Sequence, residues 1–311
     1  MNRKGISTQV IVLAVIALVA VAAAADIYLS YAGKQATTVT TTQTTTNTLT
    51  STSTQTTTAT VTQTLPPGQL TVFAAASLVN IMPNISAAFN RFYNANITFN
   101  YAGSGALATQ IVQGFPCDVF LSASPTYMTQ VANASLLYNK SVLFAKNSLI
   151  VMVAKSSASK VTSIADLAKS GVRVELEDKS VPAGAYSLTI LSNIESTWGN
   201  SSSPAYVGPQ YANFSKAVLA NVISYDTDVE QTVTKIVTGT ADAGIVYKTD
   251  AIAQAANINF ITIPDSVNVV ASYPAGVIST SQHLVLAQQF VNFLTSAQGQ
   301  QILNNFGFVS P

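Results

Sequence analysis

Two serines stand where an apolar run gives way to a helical pattern. Leu70 to Ala75 is a short apolar stretch, followed by Ala76 and Ser77, after which apolar residues recur at Leu78, Met82, Ile85, Phe89 and Phe92. Ile97 to Ala102 is followed by Gly103 and Ser104, then by Leu107, Ile111 and Val112 as far as Gly114. Both spacings follow the 3.6-residue period of a helix. A hydroxyl at a helix start adds an O–H donor to backbone N–H groups that have no intrahelical partner, at the positive end of the macrodipole. Two such ends side by side would hold an anion without any cationic side chain. If the two ends do not meet, the same serines are ordinary helix caps.

Composition removes most competing chemistry. The chain has 311 residues, a net charge of +1 and only 9% charged residues. It therefore carries no basic field for nucleic acid and no acidic field for a cationic partner. One cysteine, Cys117, excludes an internal disulfide and a cysteine-rich metal site. One histidine, His283, excludes a histidine cluster for a metal. A hydrolase using Ser77 or Ser104 would need a base, and His283 follows Thr280-Ser281 at the start of a terminal helix, where it is expected to be exposed. Catalysis by either serine is therefore not expected. Asp118 is expected to cap a neighbouring helix, and Cys117 to act as a small buried apolar residue.

The elements that must position the serines alternate strand and helix from residue 69 onward. Asp118 to Ser122 and Ser148 to Ala154 read as buried strands. Val172 to Leu176 leads to Val181-Pro182-Ala183-Gly184, which opens a helix. Ser196 to Gln210, with Trp198 inside it, reads as a surface loop. Val222 to Tyr225 leads through Asp226-Thr227-Asp228 into a helix from Val229 that Gly239 ends. Ala243 to Tyr247, Phe260 to Ile263 and Tyr273 to Ile278 are further strands, followed by helices over Leu284 to Leu294 and Gln298 to Phe306. Repeated units of this kind predict an α/β protein with mainly parallel sheets and helices on both faces. In such sheets ligands sit at the carboxyl ends of strands, and Ser77, Ser104, Ala183 and Val229 all lie at strand-to-helix turns. Tyr247, at the end of a strand, reads on its own as a half-buried core aromatic.

Ahead of this part, Arg3 and Lys4 precede an uncharged apolar run from Val10 to Ala25, which predicts a membrane segment with the rest of the chain outside the cell. Thr37 to Thr64 is mostly threonine, with some Ser, Gln, Val and Asn, has no charge and cannot build a core. It reads as an extended stalk that could reach roughly 80 Å, closed by Pro66-Pro67-Gly68. Asn-X-Ser/Thr acceptors at Asn84, Asn96, Asn133, Asn139, Asn200 and Asn213 leave glycosylation open.

From Leu70 to Phe308 the chain resembles the molybdate-binding component of molybdate ABC importers. The matching segments are Val72 to Leu78, Gly103-Ser104-Gly105, Asp118 to Ala123, Asn147-Ser148-Leu149, Val181 to Gly184, Asp228-Val229 and Ala241 to Asp250. The resemblance implies a two-lobed type II periplasmic-binding-protein fold, each lobe a mixed, mainly parallel sheet flanked by helices, joined by a hinge. It implies a tetrahedral oxyanion, molybdate or tungstate, held by the hydroxyls of Ser77 and Ser104, the amides of Ala183 and Val229 and the hydroxyl of Tyr247. An ABC permease with its ATPase is the implied partner, and the binding protein would be a monomer. Archaeal tungstate/molybdate binders of a sister group add carboxylates to the metal. Here Val181 stands at one such position, and the nearby Glu177 and Asp178 are expected to face solvent, so no direct metal coordination is expected.

The Lys4-Gly5 pair ahead of the apolar run resembles a class III, pilin-like archaeal signal, cut between Gly5 and Ile6, which would leave a surface anchor. A secretory signal cut near Ala22 to Ala25 is the alternative. The expected divisions are residues 1–34 for the signal or membrane helix, 35–68 for the stalk, 69–149 with 277–311 for the first lobe, and 150–276 for the second. Leu149 to Val153 and Tyr273 to Ile278 are the expected hinge strands. Rival readings are a binding protein for sulfate or an organic acid, and a non-catalytic adhesin or S-layer-associated protein.

Overall fold

A computed structural model describes residues 38–44, 56–62 and 67–311. The apolar run Val10 to Ala25 and both expected cleavage points lie outside the described residues. Among the described residues no helix is long and apolar enough to cross a membrane. In the threonine-rich run, β1 (Thr38–Thr44) and β2 (Thr56–Thr62) pair antiparallel, with Thr38 opposite Thr62 and Thr44 opposite Thr56. β-Branched threonine favours strands, and these two pieces double back on one another where a single extended stalk was expected.

The strand–helix alternation then begins. β3 (Gly68–Ala75) leads into a 3-10 turn at Ala76–Leu78, and α1 (Met82–Phe89) follows. The helix expected from Ser77 is therefore divided. Pro83 lies in the first turn of α1, where its missing N–H costs nothing, so the regular helix starts there and Phe92 falls beyond its end. β4 (Ala95–Ala102), α2 (Ser104–Val112), β5 (Val119–Leu121) and α3 (Pro125–Asn133) come next. The long β6 (Val142–Ala154) precedes β7 (Val174–Glu177) and α4 (Pro182–Trp198). α5 (Phe214–Leu219), β8 (Val222–Asp226), α6 (Val229–Val237), β9 (Ala243–Tyr247) and α7 (Lys248–Ala253) follow. The chain closes with β10 (Ile258–Thr262), β11 (Val270–Val277), α8 (Leu284–Thr295) and α9 (Ala297–Asn305). Trp198 ends α4 and does not sit in the loop. Its ring meets that of Tyr211 edge-on, with centroids 5.2 Å apart.

The strands run in the order β4-β3-β5-β11-β6-β9-β7-β8, with β10 also on β6. β3 is parallel to β5, and β7 is parallel to both β8 and β9. The strands in the middle are antiparallel because β6 serves both halves. Val142 to Ser148 pair with β11, whereas Leu149 to Val153 pair with β9 and Ile150 to Ala154 with β10. β6 therefore passes from one half-sheet to the other at Ser148 and Leu149, and the chain returns between β10 and β11. The result is two lobes joined by two crossings.

Both expected hinge strands are corrected by this pairing. Leu149 to Val153 lie wholly in the second half-sheet. Tyr273 faces Ala145 and Ala275 faces Leu121, so β11 belongs to the first half-sheet along its length, upstream of the expected limit at 277. Both stretches are apolar because they are central strands covered on both faces. The second crossing falls in residues 263–269.

Each lobe has its own core. Phe73, Leu107, Ile111, Phe120, Met128 and Val131 fill the first between β3, β5, α2 and α3. Ile190, Leu191, Ile194, Ile236 and Ile245 are buried in the second. Gly114 and Gly239, at φ +88° and +76°, follow the last turns of α2 and α6 in the left-handed conformation that ends a helix.

Candidate functional site

Every residue expected in the site stands at the carboxyl end of a strand. Ser77 lies in the turn after β3, Ser104 is the first residue of α2 after β4, and Tyr247 is the last residue of β9. Pro182 opens α4 after β7, and Val229 opens α6 after β8, with Asp228 as its cap accepting the Gln231 N–H at 3.2 Å. Ser77, Ser104, Val181, Pro182, Val229 and Tyr247 line one narrow cavity that is partly open to solvent. Ala183 is buried directly behind Pro182 and does not itself line this space. Both lobes contribute walls: Ser77 and Ser104 from the first, the other four from the second.

Two of the hydroxyls in this cavity, those of Ser104 and Tyr247, keep a proton free to donate. Ser104 Oγ accepts the Ala123 N–H at 3.0 Å, which leaves its own O–H proton for a further acceptor. Ser77 Oγ lies 3.0 Å from Tyr273 Oη. If Tyr273 donates there, the Ser77 proton is free in the same way. Tyr273 was seen in the sequence only as part of an apolar strand. It is fully buried, its ring 5.8 Å from that of Tyr247, and nothing in the local pattern marked it as a neighbour of Ser77. Tyr247 Oη is buried with no hydrogen-bond partner among the described residues. Burial holds its phenol well above the ordinary tyrosine value, so it stays protonated and can donate. The amides at the starts of α2, α4 and α6 are unpaired within their helices by geometry.

Among the described residues no cationic side chain lines the cavity. Among the described residues no cluster of His, Cys, Asp or Glu could hold a metal ion. Carboxyls do lie in the second lobe, and one is not where it was expected. Glu177 is buried, with both oxygens unpartnered among the described residues. Strand alternation puts it on the same face of β7 as Glu175, under α6. Glu175 finds Lys235 Nζ at 2.7 Å, whereas Glu177 has no such cation. Burial pushes the Glu177 carboxyl up to about 8. Burial, and then the Asp228 charge, take Glu230 to about 7, and Asp250 is raised well above its usual range by burial and then by Glu230 and Glu177. Asp250 also accepts the Tyr247 N–H at 3.1 Å, which fixes the end of β9. Asp178 is half-buried and accepts from the Ser180 N–H and hydroxyl at 2.8 and 2.7 Å.

The residues assigned structural roles keep away from the cavity. Asp118 accepts the Thr71 N–H at 2.7 Å and the Ser281 hydroxyl at 2.5 Å, and lies 3.3 Å from His283 Nδ1, tying the start of α8 to β3. The His283 side chain is 43% exposed and faces no serine of the cavity. Cys117 is buried, with its thiol directed to the Val119 carbonyl at 3.2 Å.

Comparison with known proteins agrees with this architecture. The family model described as bacterial extracellular solute-binding protein matches residues 70–309. The molybdate-binding protein ModA of Mycobacterium tuberculosis H37Rv is 34% identical over 243 residues, 78% of this chain and 85% of that protein. Among solved structures, the periplasmic molybdate-binding protein of Azotobacter vinelandii superposes with a TM-score of 0.66 at 19% identity, covering 78% of this chain and 99% of that one. The sulfate-binding protein SubI of M. tuberculosis H37Rv gives 0.68 at 18% identity, covering 78% and 87%. At these identities the two structures establish the shared fold, a two-lobed periplasmic-binding-protein architecture.

Proposed function

The chain belongs to the bacterial extracellular solute-binding protein family, and on that premise we propose that it captures molybdate, and also tungstate, outside the cell and delivers it to an ABC permease with its ATPase. The observation that carries this reading is a cavity of neutral donors. Three hydroxyls, those of Ser77, Ser104 and Tyr247, meet the starts of three helices, with no cation and no metal cluster among the described residues. The proposed shell adds the amide of Val229 at the cavity wall and that of Ala183, which lies just behind Pro182.

Molybdate and tungstate are dianions whose oxygens only accept hydrogen bonds near neutral pH. Phosphate and arsenate usually carry a proton and need an acceptor, so a donor-only shell rejects them. Sulfate has the same charge and shape but shorter bonds, and is discriminated by cavity size. Val181 at the cavity wall offers no oxygen to the metal, so the oxyanion stays tetrahedral. Charge-assisted hydrogen bonds are worth about 1.5–3 kcal/mol each, and several together, less the cost of closing the lobes, support sub-micromolar affinity. The 34% identity to a named molybdate-binding protein supports the same ligand class. The protein acts as a monomer, needs no cofactor, catalyses nothing, and is held at the surface by its N-terminal apolar segment.

Calorimetry and thermal shift of the full chain with molybdate, tungstate, sulfate and phosphate test the reading. Molybdate and tungstate should bind and stabilise, phosphate should not, and Ser77→Ala or Ser104→Ala should weaken molybdate at least about tenfold. Stabilisation by sulfate alone, or by none of the four, overturns it. So does unchanged molybdate affinity in both serine variants.

A further inference from the structure

Beyond the cavity itself, the two lobes touch through a reciprocal pair of phenols. Tyr127 on α3, in the first lobe, donates from Oη to the Ser180 carbonyl of the second. Tyr186 on α4, in the second lobe, donates from Oη to the Ala123 carbonyl of the first at 3.2 Å. Neither tyrosine lines the cavity, and both are half-buried at the seam. Each bond lands on a segment that builds the cavity wall. Ser180 immediately precedes Val181 and Pro182, and the Ala123 peptide is the one whose N–H donates to Ser104 Oγ.

The backbone approach that allows these bonds depends on two glycines. A Cβ added at Gly103 would lie 2.6 Å from the Thr227 carbonyl oxygen, and one at Gly105 would lie 2.6 Å from that of Ser180. Both distances are shorter than carbon and oxygen tolerate, and both oxygens belong to the facing lobe. A side chain at either position would therefore hold the lobes apart, and one at Gly105 would also press on the Tyr127 ring of its own lobe at 3.1 Å. Gly103 and Gly105 flank Ser104, so two close approaches between the lobes bracket that residue.

We propose that Tyr127 and Tyr186 are positioning residues that latch the two lobes over the cavity, with Gly103 and Gly105 as the close-contact points that let the latch engage. The phenols act on main-chain carbonyls and never on the ligand. Their effect is to raise the fraction of closed molecules, and any lobe-bridging ligand binds more tightly in proportion to that fraction. The ligand half of this inference rests on the oxyanion reading above, and the latch itself does not.

The test measures closure directly on the full chain. Nitroxide labels at Gln113→Cys and Ser170→Cys, one in each lobe, report the inter-lobe distance by pulsed electron resonance, without ligand and with saturating molybdate. Tyr127→Phe and Tyr186→Phe should each lower the closed-to-open ratio about fivefold, as expected for one neutral hydrogen bond, and the double variant more. Gly105→Ala should lower it by more than about tenfold. Molybdate should dissociate faster from each Phe variant, with the thermal midpoint of the ligand-free protein unchanged. A double Phe variant with the wild-type distance distribution in both conditions overturns the latch, as does a Gly105→Ala protein that closes normally. If the distances shift as expected but the wild type binds no oxyanion, the latch stands and the proposed ligand falls.

Discussion

A phenol hydroxyl buried without a partner destabilises a fold by about 1–3 kcal/mol, and Tyr247 Oη is such a group. Its retention makes sense if the missing acceptor arrives with the ligand, and this gives a two-sided expectation for Tyr247→Phe. The ligand-free protein should become more stable, by about 1 kcal/mol, while molybdate affinity drops at least about tenfold. Urea unfolding and calorimetry on the same variant check both halves. A loss of stability with unchanged affinity would mean that the hydroxyl serves the core and not the cavity. Residue by residue, legibility in the sequence was uneven. Ser77 and Ser104 are visible because a strand, a serine and a 3.6-period run stand in order. Tyr247 is not, since a tyrosine closing an apolar strand looks like core, and only the family resemblance singled it out. Glu177 was misread because Glu177-Asp178-Lys179 has the look of a solvated turn. Its burial follows from strand parity with Glu175 and from α6 lying over that face, neither of which the local sequence reveals.

Among the elements, β7 and α6 carry an unusual electrostatic arrangement. α6 opens on the cavity at Val229, and beneath it Glu177 has no cation. Its carboxyl sits at about 8 in the folded protein, against 4.5 as its ordinary value. Between these limits the folded state holds a proton that the unfolded state has released. Stability attributable to this group is therefore complete below about pH 4.5 and is lost as pH rises towards 8, with a slope of at most about 1.4 kcal/mol per pH unit. Glu177→Gln removes the titration but keeps the shape. Unfolding free energies of the two proteins at pH 5, 6.5 and 8 should diverge, with the variant gaining on the wild type as pH rises. A gap that stays constant across this range would show that the carboxyl is not held protonated by burial. β7, α4, β8, α6 and β9 were legible in order from periodicity, whereas the short α5 and α7 were not. The break between Ser77 and Met82 was signalled by Pro83, and the extension of α4 to Trp198 was masked by the serines around it.

At the scale of the whole molecule, everything that moves one lobe against the other must pass through two strands of chain, one at Ser148 and Leu149 and one in residues 263–269. Apolar runs could not reveal these places, because central strands and crossing strands are equally apolar. The structure shows instead that one polar side chain ties the crossings together. Asn268 Nδ2 donates to the Leu149 carbonyl at 2.9 Å and to the Ile263 carbonyl at 3.1 Å. Its Oδ1 accepts from the Val269 N–H at 2.8 Å and from the Leu149 N–H at 3.4 Å. The amide thus satisfies the Leu149 main-chain groups on the edge of β6 where the pairing with β11 has ended and that with β10 has not begun. Asn268→Ala removes that partner and should destabilise the protein by about 1–3 kcal/mol, read as a lower urea midpoint at unchanged slope. Asn268→Asp is the sharper variant. It keeps the acceptor but turns a carboxylate oxygen towards two carbonyls that need a donor, so it should be at least as destabilising as alanine despite its closer shape. If the aspartate protein is instead as stable as wild type, the donor half of the amide contributes nothing. The two crossings would then be joined by backbone and packing alone.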